Sequence, residues 1–537
     1  MLTFKELTIR AMVMGLIIGV FFCILNVIVG LKTGLAFAGT QVTILLGFLG
    51  LSATGGYNKF ENNIIQASAS GAALAMFTID SAVAAVVIFS GVFPSIYLVI
   101  AVSLVAIPLG ILFAYSLRDS LLERQNLAFP GGVAIGEVID ALVDTRSRRS
   151  LLVFLGMGVG VIIVVLVQWH ILPKAVPGLG FGIPTFLGLA VSPMMIGMGF
   201  IIRHRSSSLI FAGSLFSTAV WVLSGKEHMQ LSQHITNPWV LSVAVFMIIT
   251  YSLYLIAKSR KIFKDMFSSV QFGEGGRYIR MGQIILLALA VILFIAVPEI
   301  RLMPYALIIL IPFLLVTILY ACWACGETGM TPVTPMGMLG LIIASFFTNK
   351  LAGILFAGAV LSAAGAAAST MMNTFRAGTI VKTKPEALLT AQTIGSLLGA
   401  VVGSVSIFML YKAYGFGSEQ LPAPLSYSWG VVASALQEGR VPESINLLIG
   451  AGASVGALVL AFLNLSAISF GIGMIIPPAY SSLIFIGGLF SYWIQKKYPD
   501  KEIQKEKMGE GYALCAGFIA GEGLVLVISA FYTVLAA

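Results

Sequence analysis

Acidic residues inside apolar segments are the part of this sequence that could do chemistry. Asp80, Glu327 and Glu522 lie within or beside long apolar runs, and Glu137 lies in the apolar stretch 126–142. A carboxylate at membrane depth is costly, and by default it indicates an ion or substrate pathway. We therefore interpret these four carboxylates as candidates for proton coupling. Burial against a structural partner is the alternative.

The stretch 126–142, NLAFPGGVAIGEVIDAL, is apolar but short and irregular. It contains a Phe-Pro-Gly-Gly sequence and is flanked by arginines on both sides, which indicates that both of its ends face the cytoplasm. We predict a re-entrant segment that lines a substrate path, because irregular backbone at membrane depth must line a cavity or be covered by protein. Phe129, Gly131 and Gly132 would then offer backbone groups to an anion, and Glu137 would bind a proton or an ammonium group. The alternative is an amphipathic helix on the membrane surface.

A second irregular segment, CWACGETGMTPVTPMGML, covers residues 322–339. Its prolines and glycines predict a broken helix beside Glu327, and discontinuous helices are a common way for transporters to present backbone groups to ions and substrates. Cys322 and Cys325 have CxxC spacing, but one such pair on an apolar helix is weak support for metal or redox chemistry. We predict neither a metal site nor a cofactor.

Two further pairs of polar residues are candidates for substrate binding. Glu61 and Gln66 open a span rich in alanine, serine and glycine, so they line the path or, alternatively, cap a helix next to a packing seam. Asn373 and Arg376 follow a run of small apolar residues. Arg376 is the candidate for binding a substrate carboxylate through its guanidinium fork, and a cytoplasmic orientation charge is the alternative.

Composition places the chain in the membrane. Its 537 residues are 58% hydrophobic and 10% charged, and the mean hydropathy is +1.00, whereas soluble domains carry about 25% charged residues. The formal net charge of +9 comes from short basic clusters between apolar runs, so we interpret it as an orientation signal and predict no nucleic-acid partner. The sequence therefore predicts an all-α polytopic protein of the cytoplasmic (inner) membrane, with the lipid bilayer as its surroundings.

Apolar runs recur along the chain and predict about 16–17 transmembrane helices. We place the third span at 63–90 and two separate spans at 183–202 and 206–224. Residues 1–258 form a first transmembrane repeat and 301–537 form a second. A basic linker and an unpaired helix, at 259–300, separate them.

Three internal similarities support two halves. SSLIFAGSLFS at 207–217 recurs as SSLIFIGGLFS at 481–491, an offset of 274 residues. FPGGVAIGEVIDAL at 129–142 has a weaker counterpart at 423–436, which adds Tyr427 and Trp429 to the substrate-binding candidates. The small-residue runs at 68–73 and 363–368 keep the same order. The number of spans favours an inverted repeat with one re-entrant or broken segment in each half, and a parallel repeat is the alternative.

Several ordered motifs resemble those of the oligopeptide transporter family, which includes the yellow stripe-like metal-chelate transporters. The likeness covers nearly the whole chain, and it is closer to prokaryotic members than to plant ones. It implies secondary-active symport, usually with protons, of small peptides or peptide-like metal chelates. The motifs are KFENNIIQASAS (59–70), NLAFPGGVAIGEVI (126–139), GETGMTPVTPMGMLG (326–340), STMMNTFRAGTIVKTKPEALLTAQTIGSLLGAVVG (369–403), LPAPLSYSW (421–429), GMIIPPAYSSLIFIGGLF (473–490) and GFIAGEGL (517–524).

The leading hypothesis is a proton-coupled symporter of oligopeptides or peptide-like metal chelates, with its site between the halves. A homodimer is expected by analogy with elevator-like transporters. A passive channel, or a transporter of another small organic solute, is the alternative, and a channel would need no coupling carboxylate. An intramembrane enzyme is disfavoured because no HExxH, GxSxG or other paired catalytic signature lies at membrane depth.

Overall fold

A computed structural model gives the structure of the chain, and the described part is almost entirely helical. The predicted all-α class is therefore confirmed. Glu137 and Glu327 lie in described helices, but their side chains are outside the described part of the structure. The described residues are 6–34, 39–127, 129–143, 148–176, 182–225, 230–235, 237–258, 277–328, 331, 333–439 and 445–536.

Helices α1 to α10 come before the basic linker. A short irregular excursion between α7 and α8 contains an antiparallel pair of two-residue strands, β1 (Ala175–Val176) and β2 (Leu189–Ala190). The helices are α1 (Ile9–Thr33), α2 (Thr40–Ala53), α3 (Lys59–Ala73), α4 (Ile79–Ser90), α5 (Ile96–Arg118), α6 (Pro130–Ala141), α7 (Arg148–Gln168), α8 (Pro193–Leu223), α9 (Leu231–Ile235) and α10 (Pro238–Lys258).

Helices α11 to α20 follow the linker, most of which lies outside the described residues. They are α11 (Arg277–Ala296), α12 (Leu307–Thr328), α13 (Val333–Ser345), α14 (Leu351–Val381), α15 (Pro385–Tyr414), α16 (Pro424–Glu438), α17 (Leu447–Phe462), α18 (Ala467–Ile475), α19 (Pro478–Lys497) and α20 (Lys501–Ala536).

Length and apolar composition make this an integral multi-pass membrane protein. In the described part of the chain, 8 helices are long and apolar enough to cross a bilayer, and shorter apolar helices of 10–17 residues accompany them. Several of these spans are extensively buried by other helices. In α14, 89% of the most apolar 18-residue stretch is buried by other parts of the protein, which places this helix at the centre of the fold.

Helix α14 is the packing partner that organises one half of the core. It contacts α4, α5, α6, α12 and α13. Its sequence is rich in alanine, glycine and serine, and such small residues let helices approach closely where lipid provides no hydrophobic driving force. Helix α20 has the corresponding role at the other side, where it packs along α7 and α8.

The third predicted span is broken, which corrects the continuous helix expected at 63–90. Helix α3 ends at Ala73, residues 74–78 form turns, and Thr78 has a φ of 77° before α4 begins at Ile79. The Thr78 hydroxyl donates to the carbonyl of Ala359 at 3.3 Å. Asp80, expected in mid-span, therefore lies in the first turn of a second helix.

The predicted division of this region into two spans, at 183–202 and 206–224, is also wrong. The structure has one helix, α8, that starts at Pro193. Ile196 and Ser207 of α8 contact the adjacent residues Gly487 and Gly488 of α19. The same two glycines also pack on Phe200 and His204, one helical turn apart, so α19 crosses α8 near its middle.

The recurring segments pack against each other at equivalent positions. The ring of Phe211 stacks on that of Phe485, with centroids 4.7 Å apart and planes 7° from parallel, and these two residues are themselves separated by the offset of 274. Gly199 packs on the carbonyl of Ile484, and at the same offset Gly473 packs on the carbonyl of Ile210.

Reciprocal contacts of this kind are what a local two-fold axis between repeats produces. They support the predicted two-repeat organisation. Whether the halves are inverted or parallel stays a prediction, which accessibility labelling of the 225–236 and 496–507 loops would test.

Candidate functional site

Helix α6 begins with the irregular backbone that its sequence predicts. Phe129 is fully buried and has a φ of 45°, and Pro130 occupies the first helical turn, where its missing N–H costs nothing. The backbone N–H of Phe129 donates to the carbonyl of Gly326 at 2.9 Å. Gly326 is in the last turn of α12, so the start of α6 is attached to the end of the predicted broken helix.

Helix α16 begins in the same way. Ala423 has a φ of 48° and Pro424 follows it in the first turn. The N–H of Ala423 donates to the carbonyl of Leu31 at 2.7 Å, near the end of α1. Gly34, with a φ of 68°, terminates α1 by donating its own N–H to the carbonyl of Gly30.

These two attachments are equivalent positions of the repeat. Leu31 and Gly326 are 295 residues apart, and Phe129 and Ala423 are 294 apart. We call them the α1–α16 junction (residues 30–34 with 423–425) and the α12–α6 junction (residues 325–328 with 129–132). Both place a backbone carbonyl at the end of one helix against the N-terminus of a short helix.

The α12–α6 junction brings together five of the predicted substrate-binding residues. The N–H of Gly132 donates to Oδ1 of Asn373 at 3.0 Å, and the Asn373 amide donates to Sγ of Cys325 at 3.3 Å. Gly131 packs on the same amide, and Arg376 packs on Gly132. Phe129 completes the set. Asn373 and Arg376 lie inside α14, whereas the sequence had indicated a position after the end of a span.

Close packing explains why residue 132 is a glycine. A methyl group added to Gly132 would overlap the backbone oxygen of Asn373 and the Cβ of Arg376. Nε of Arg376 is buried and has no hydrogen-bond partner within the described part of the chain. The guanidinium group is therefore a donor near the start of α6.

The α1–α16 junction leads to a buried ion pair. Nζ of Lys32 lies 3.3 Å from Oε1 of Glu522, and the two side chains are 5% and 4% exposed. The Ser192 hydroxyl is 2.8 Å from both carboxylate oxygens, and the N–H of Met194 donates to Oε2 at 2.9 Å. Glu522 thus accepts from one backbone amide and one hydroxyl at the N-terminus of α8, where the helix dipole favours a negative charge.

This ion pair forms part of the wall of a cavity of about 180 Å³. Nζ of Lys32 lies 5.2 Å from the ring centroid of Tyr480. The wall also contains Thr185, whose hydroxyl donates to Oε1 of Glu419 at 2.6 Å. Lys174, at the rim, is exposed. Other polar lining residues are Gln168, Ser192, Tyr414 and Gln420.

A larger cavity of about 670 Å³ lies along α6, which lines it through Ala134 and Val138. Its wall also contains Gln495, Gln504 and Lys505. The predicted candidates Glu137, on α6, and Glu327, at the end of α12, have side chains outside the described part of the structure. Their roles remain predictions.

Glu61 and Gln66 are buried away from both junctions. Arg10 and the Thr8 hydroxyl both bind the Glu61 carboxylate, the latter at 2.6 Å, so this residue attaches α1 to α3. Nε2 of Gln66 donates to the Ser70 hydroxyl at 2.9 Å. Neither residue lines the two cavities.

Asp80 and the predicted aromatic candidates are also separate from the cavities. Asp80 is 1% exposed, faces Gly30 of α1 and accepts from the N–H of Ser81 at 2.6 Å. In the part of the chain that is described, no cation forms an ion pair with it. Trp429 is fully buried and packs on α13, and Tyr427 packs edge-on against the ring of Phe89, 6.3 Å away.

Lys32, Ser192 and Tyr480 are the residues of the ion-pair site that the sequence-based prediction missed; of that site, only Glu522 was predicted. One signal was available for Lys32. The sequence Lys-Thr-Gly at 32–34 corresponds to Glu-Thr-Gly at 327–329 with an offset of 295, which equals that of the small-residue runs. Lys32 is therefore the counterpart of a residue that had been predicted.

Comparison with known sequences now decides the family. The sequence profile of the OPT oligopeptide transporter protein family matches residues 6–229 and 277–533. The chain belongs to the oligopeptide transporter family. Both junctions and the ion pair lie within the matched residues.

Three relatives of this oligopeptide transporter family member are informative. A candidate oligopeptide transporter of Haemophilus influenzae is 28% identical over 33% of this chain and 31% of that protein. A candidate oligopeptide transporter of Saccharomyces cerevisiae is 23% identical over 33% and 26%. A metal-nicotianamine transporter of Arabidopsis thaliana is 34% identical over 13% and 10%. The aligned part of the chain spans about a third or less of each relative.

Proposed function

We propose that this protein is a secondary active transporter that carries oligopeptides or peptide-like metal chelates together with protons across the cytoplasmic membrane. Family membership supports a transport role, and the names of the relatives indicate the two substrate classes. The observation that carries the proposal is the buried Lys32–Glu522 ion pair beside a polar cavity in a membrane protein. Ionised groups in such a place are expensive and are typical of substrate and ion pathways.

The larger cavity is the proposed path for the substrate. Its 670 Å³ falls in the range of about 300–1,000 Å³ typical of sites for small organic ligands. Helix α6 borders it, which supports the prediction that the 126–142 stretch lines a path. Glu137 follows Ala134 by three residues in the same short helix and stays a candidate for a proton or an ammonium group.

Glu522 is the strongest of the proposed proton-coupling residues because its surroundings are described and polar. Its carboxylate has a lysine, a hydroxyl and a backbone amide as partners, so it can exchange one of them for a proton without becoming isolated. Asp80 is a second candidate. It is buried near α1 and lies close in sequence to the helix break at 74–78.

The two-repeat organisation belongs to the same proposal. Residues 1–258 and 301–537 would form the two repeats, separated by the linker and unpaired helix at 259–300. An inverted arrangement and a homodimeric assembly complete the proposal. Disulfide cross-linking between protomers that each carry a single cysteine would test the dimer.

Uptake by proteoliposomes tests the function. Purified protein is reconstituted, an inward proton gradient is imposed, and accumulation of labelled di-, tri- and tetrapeptides and of an iron–nicotianamine chelate is measured. We expect at least one of these substrates to accumulate above its external concentration, and a protonophore to abolish the accumulation. Entry that stops at equilibrium would indicate a channel. If neither a peptide nor the chelate enters, the proposed substrate classes are wrong.

A further inference from the structure

The ion-pair site has the chemistry to bind one end of a substrate. We propose that Lys32 binds a carboxylate group of the transported substrate, such as the C-terminus of a peptide, inside the 180 Å³ cavity, and that Glu522 releases Lys32 for this purpose. The inference rests on the proposed transport function and adds the binding residue and the part of the substrate that it recognises.

Glu522 does not depend on Lys32. The Lys32 contact, at 3.3 Å, is the longest of its polar contacts, and the Ser192 hydroxyl at 2.8 Å and the Met194 amide at 2.9 Å are shorter. Both of these donors belong to the N-terminus of α8, whose dipole also stabilises a carboxylate. The carboxylate can therefore stay in place when the ammonium group turns to another anion.

Lys32 has unused capacity. An ammonium group has three donors, and in the part of the chain that is described the Glu522 carboxylate is the hydrogen-bond partner of Lys32. The face of the Tyr480 ring, 5.2 Å away, provides a second favourable contact that does not use a donor. A carboxylate that enters the cavity would meet this buried ammonium group.

The cavity contains other charged groups. Lys174 lies exposed at the rim, where it would attract anions, and Glu419 accepts a hydrogen bond from Thr185. A substrate carboxylate would pair with the buried ammonium group of Lys32. A neutral or amidated end would lack this interaction.

The size of the cavity limits how much of a substrate it can hold. Its 180 Å³ is below the lower limit of about 300 Å³ for pockets that enclose a whole small organic ligand. The cavity therefore fits an end group of a peptide and not its whole length. Recognition of one carboxylate end explains how substrates of different lengths could share one site.

A matched pair of ligands tests the inference. Uptake of trialanine and of trialanine amide, which differ only in the C-terminal carboxylate, is measured in proteoliposomes that contain the full-length protein. For wild type, we expect the concentration that gives half-maximal uptake to be about ten-fold or more lower for trialanine than for trialanine amide. One charge-assisted hydrogen bond implies a difference of this size. The Lys32→Met/Glu522→Gln variant should lose this preference, and Lys32→Arg should keep most of it.

A control variant makes the same two kinds of substitution in another Lys–Glu pair, which lies on α20. Lys507 and Glu510 form a 3.1 Å ion pair whose side chains are 30% and 17% exposed. The variant Lys507→Met/Glu510→Gln should retain the preference for the acid. If the Lys32 variants do not fold, wild type alone still decides, because equal uptake of acid and amide overturns the inference.

The outcomes separate this inference from the function on which it rests. Transport of peptides without an acid preference, or with a preference that survives Lys32→Met/Glu522→Gln, would overturn the role of Lys32 and leave the transporter proposal intact. Failure of wild type to take up trialanine, trialanine amide and the iron–nicotianamine chelate would overturn both.

Discussion

The α1–α16 and α12–α6 junctions use the same backbone arrangement for different chemistry. In each, the residue before a proline has left-handed backbone and donates its N–H to a carbonyl near the end of a long helix, Ala423 to Leu31 and Phe129 to Gly326. One junction continues into the buried ion pair of Lys32 with Glu522. The other is joined to α14 by the neutral amide of Asn373.

The difference shows which part of a repeated structure is free to change. Backbone hydrogen bonds at the junctions do not depend on side-chain identity, so both copies keep them while the side chains around them diverge. The residue after each accepting carbonyl is Lys32 in one copy and Glu327 in the other. The equivalent positions of the two junctions therefore carry side chains of opposite charge.

The largest effect is expected from separating the charges of the ion pair. Glu522→Gln leaves the Lys32 ammonium buried without a counter-charge, which should lower the free energy of unfolding by about 3–5 kcal/mol. Lys32→Met/Glu522→Gln removes both charges and should recover much of this loss. Thermal unfolding in detergent measures both variants. Equal stability of Glu522→Gln and wild type would mean that the two side chains are not paired.

Ser192→Ala tests whether α8 holds Glu522 independently of Lys32. The hydroxyl donates to a charged acceptor, so its loss should cost about 1.5–3 kcal/mol in the free energy of unfolding. The acid preference should persist because the Met194 amide remains. The same unfolding assay, combined with trialanine uptake, checks both expectations. Complete loss of the acid preference would show that the Met194 amide does not hold Glu522 in place without Ser192.

Gly132→Ser sharpens the comparison at the other junction, because the equivalent position of α16 is Ser426. The side chain would overlap the backbone of Asn373 and force α6 away from α14, and overpacking of this kind costs about 1–3 kcal/mol. The reverse change, Ser426→Gly, should have a smaller effect. If Gly132→Ser unfolds at the wild-type temperature, α6 does not pack on α14 as closely as described.

Asn373→Leu should have the smallest effect. It removes the hydrogen bond from the Gly132 amide at a position of intermediate burial, which we expect to lower the free energy of unfolding by about 0.5–1.5 kcal/mol. The ratio of trialanine to trialanine amide uptake should not change, since this junction is distinct from the ion-pair site. A shift of that ratio beyond experimental error would link the two junctions directly.

The sequence predicts the class, the family and two of the breaks. Prolines and glycines at 129–132 and in 322–339 disrupt helices by their own backbone chemistry, so the start of α6 and the end of α12 are predictable. The break at 74–78 is not, because its sequence Leu-Ala-Met-Phe-Thr lacks such residues. A tertiary contact, from Thr78 to Ala359 of α14, accompanies that break.

The ion-pair site is only partly predictable for a similar reason. Glu522 is identified by its position in an apolar run, but Lys32 stands at the end of a span, where a positive charge usually reports orientation. Their separation of 490 residues gives no local pattern. Tyr427 and Trp429 were predicted from their place near a broken segment; both are buried in the core, and their role as lining residues stays a prediction.

Coupled flux is the most direct measurement of the central claim. Proteoliposomes loaded with a pH-sensitive dye are given an inward gradient of trialanine with no initial difference in pH. We predict that entry of the peptide acidifies the lumen in wild type, and that Lys32→Met/Glu522→Gln abolishes the acidification while Lys507→Met/Glu510→Gln does not. Peptide entry into wild-type liposomes without acidification would contradict proton-coupled transport.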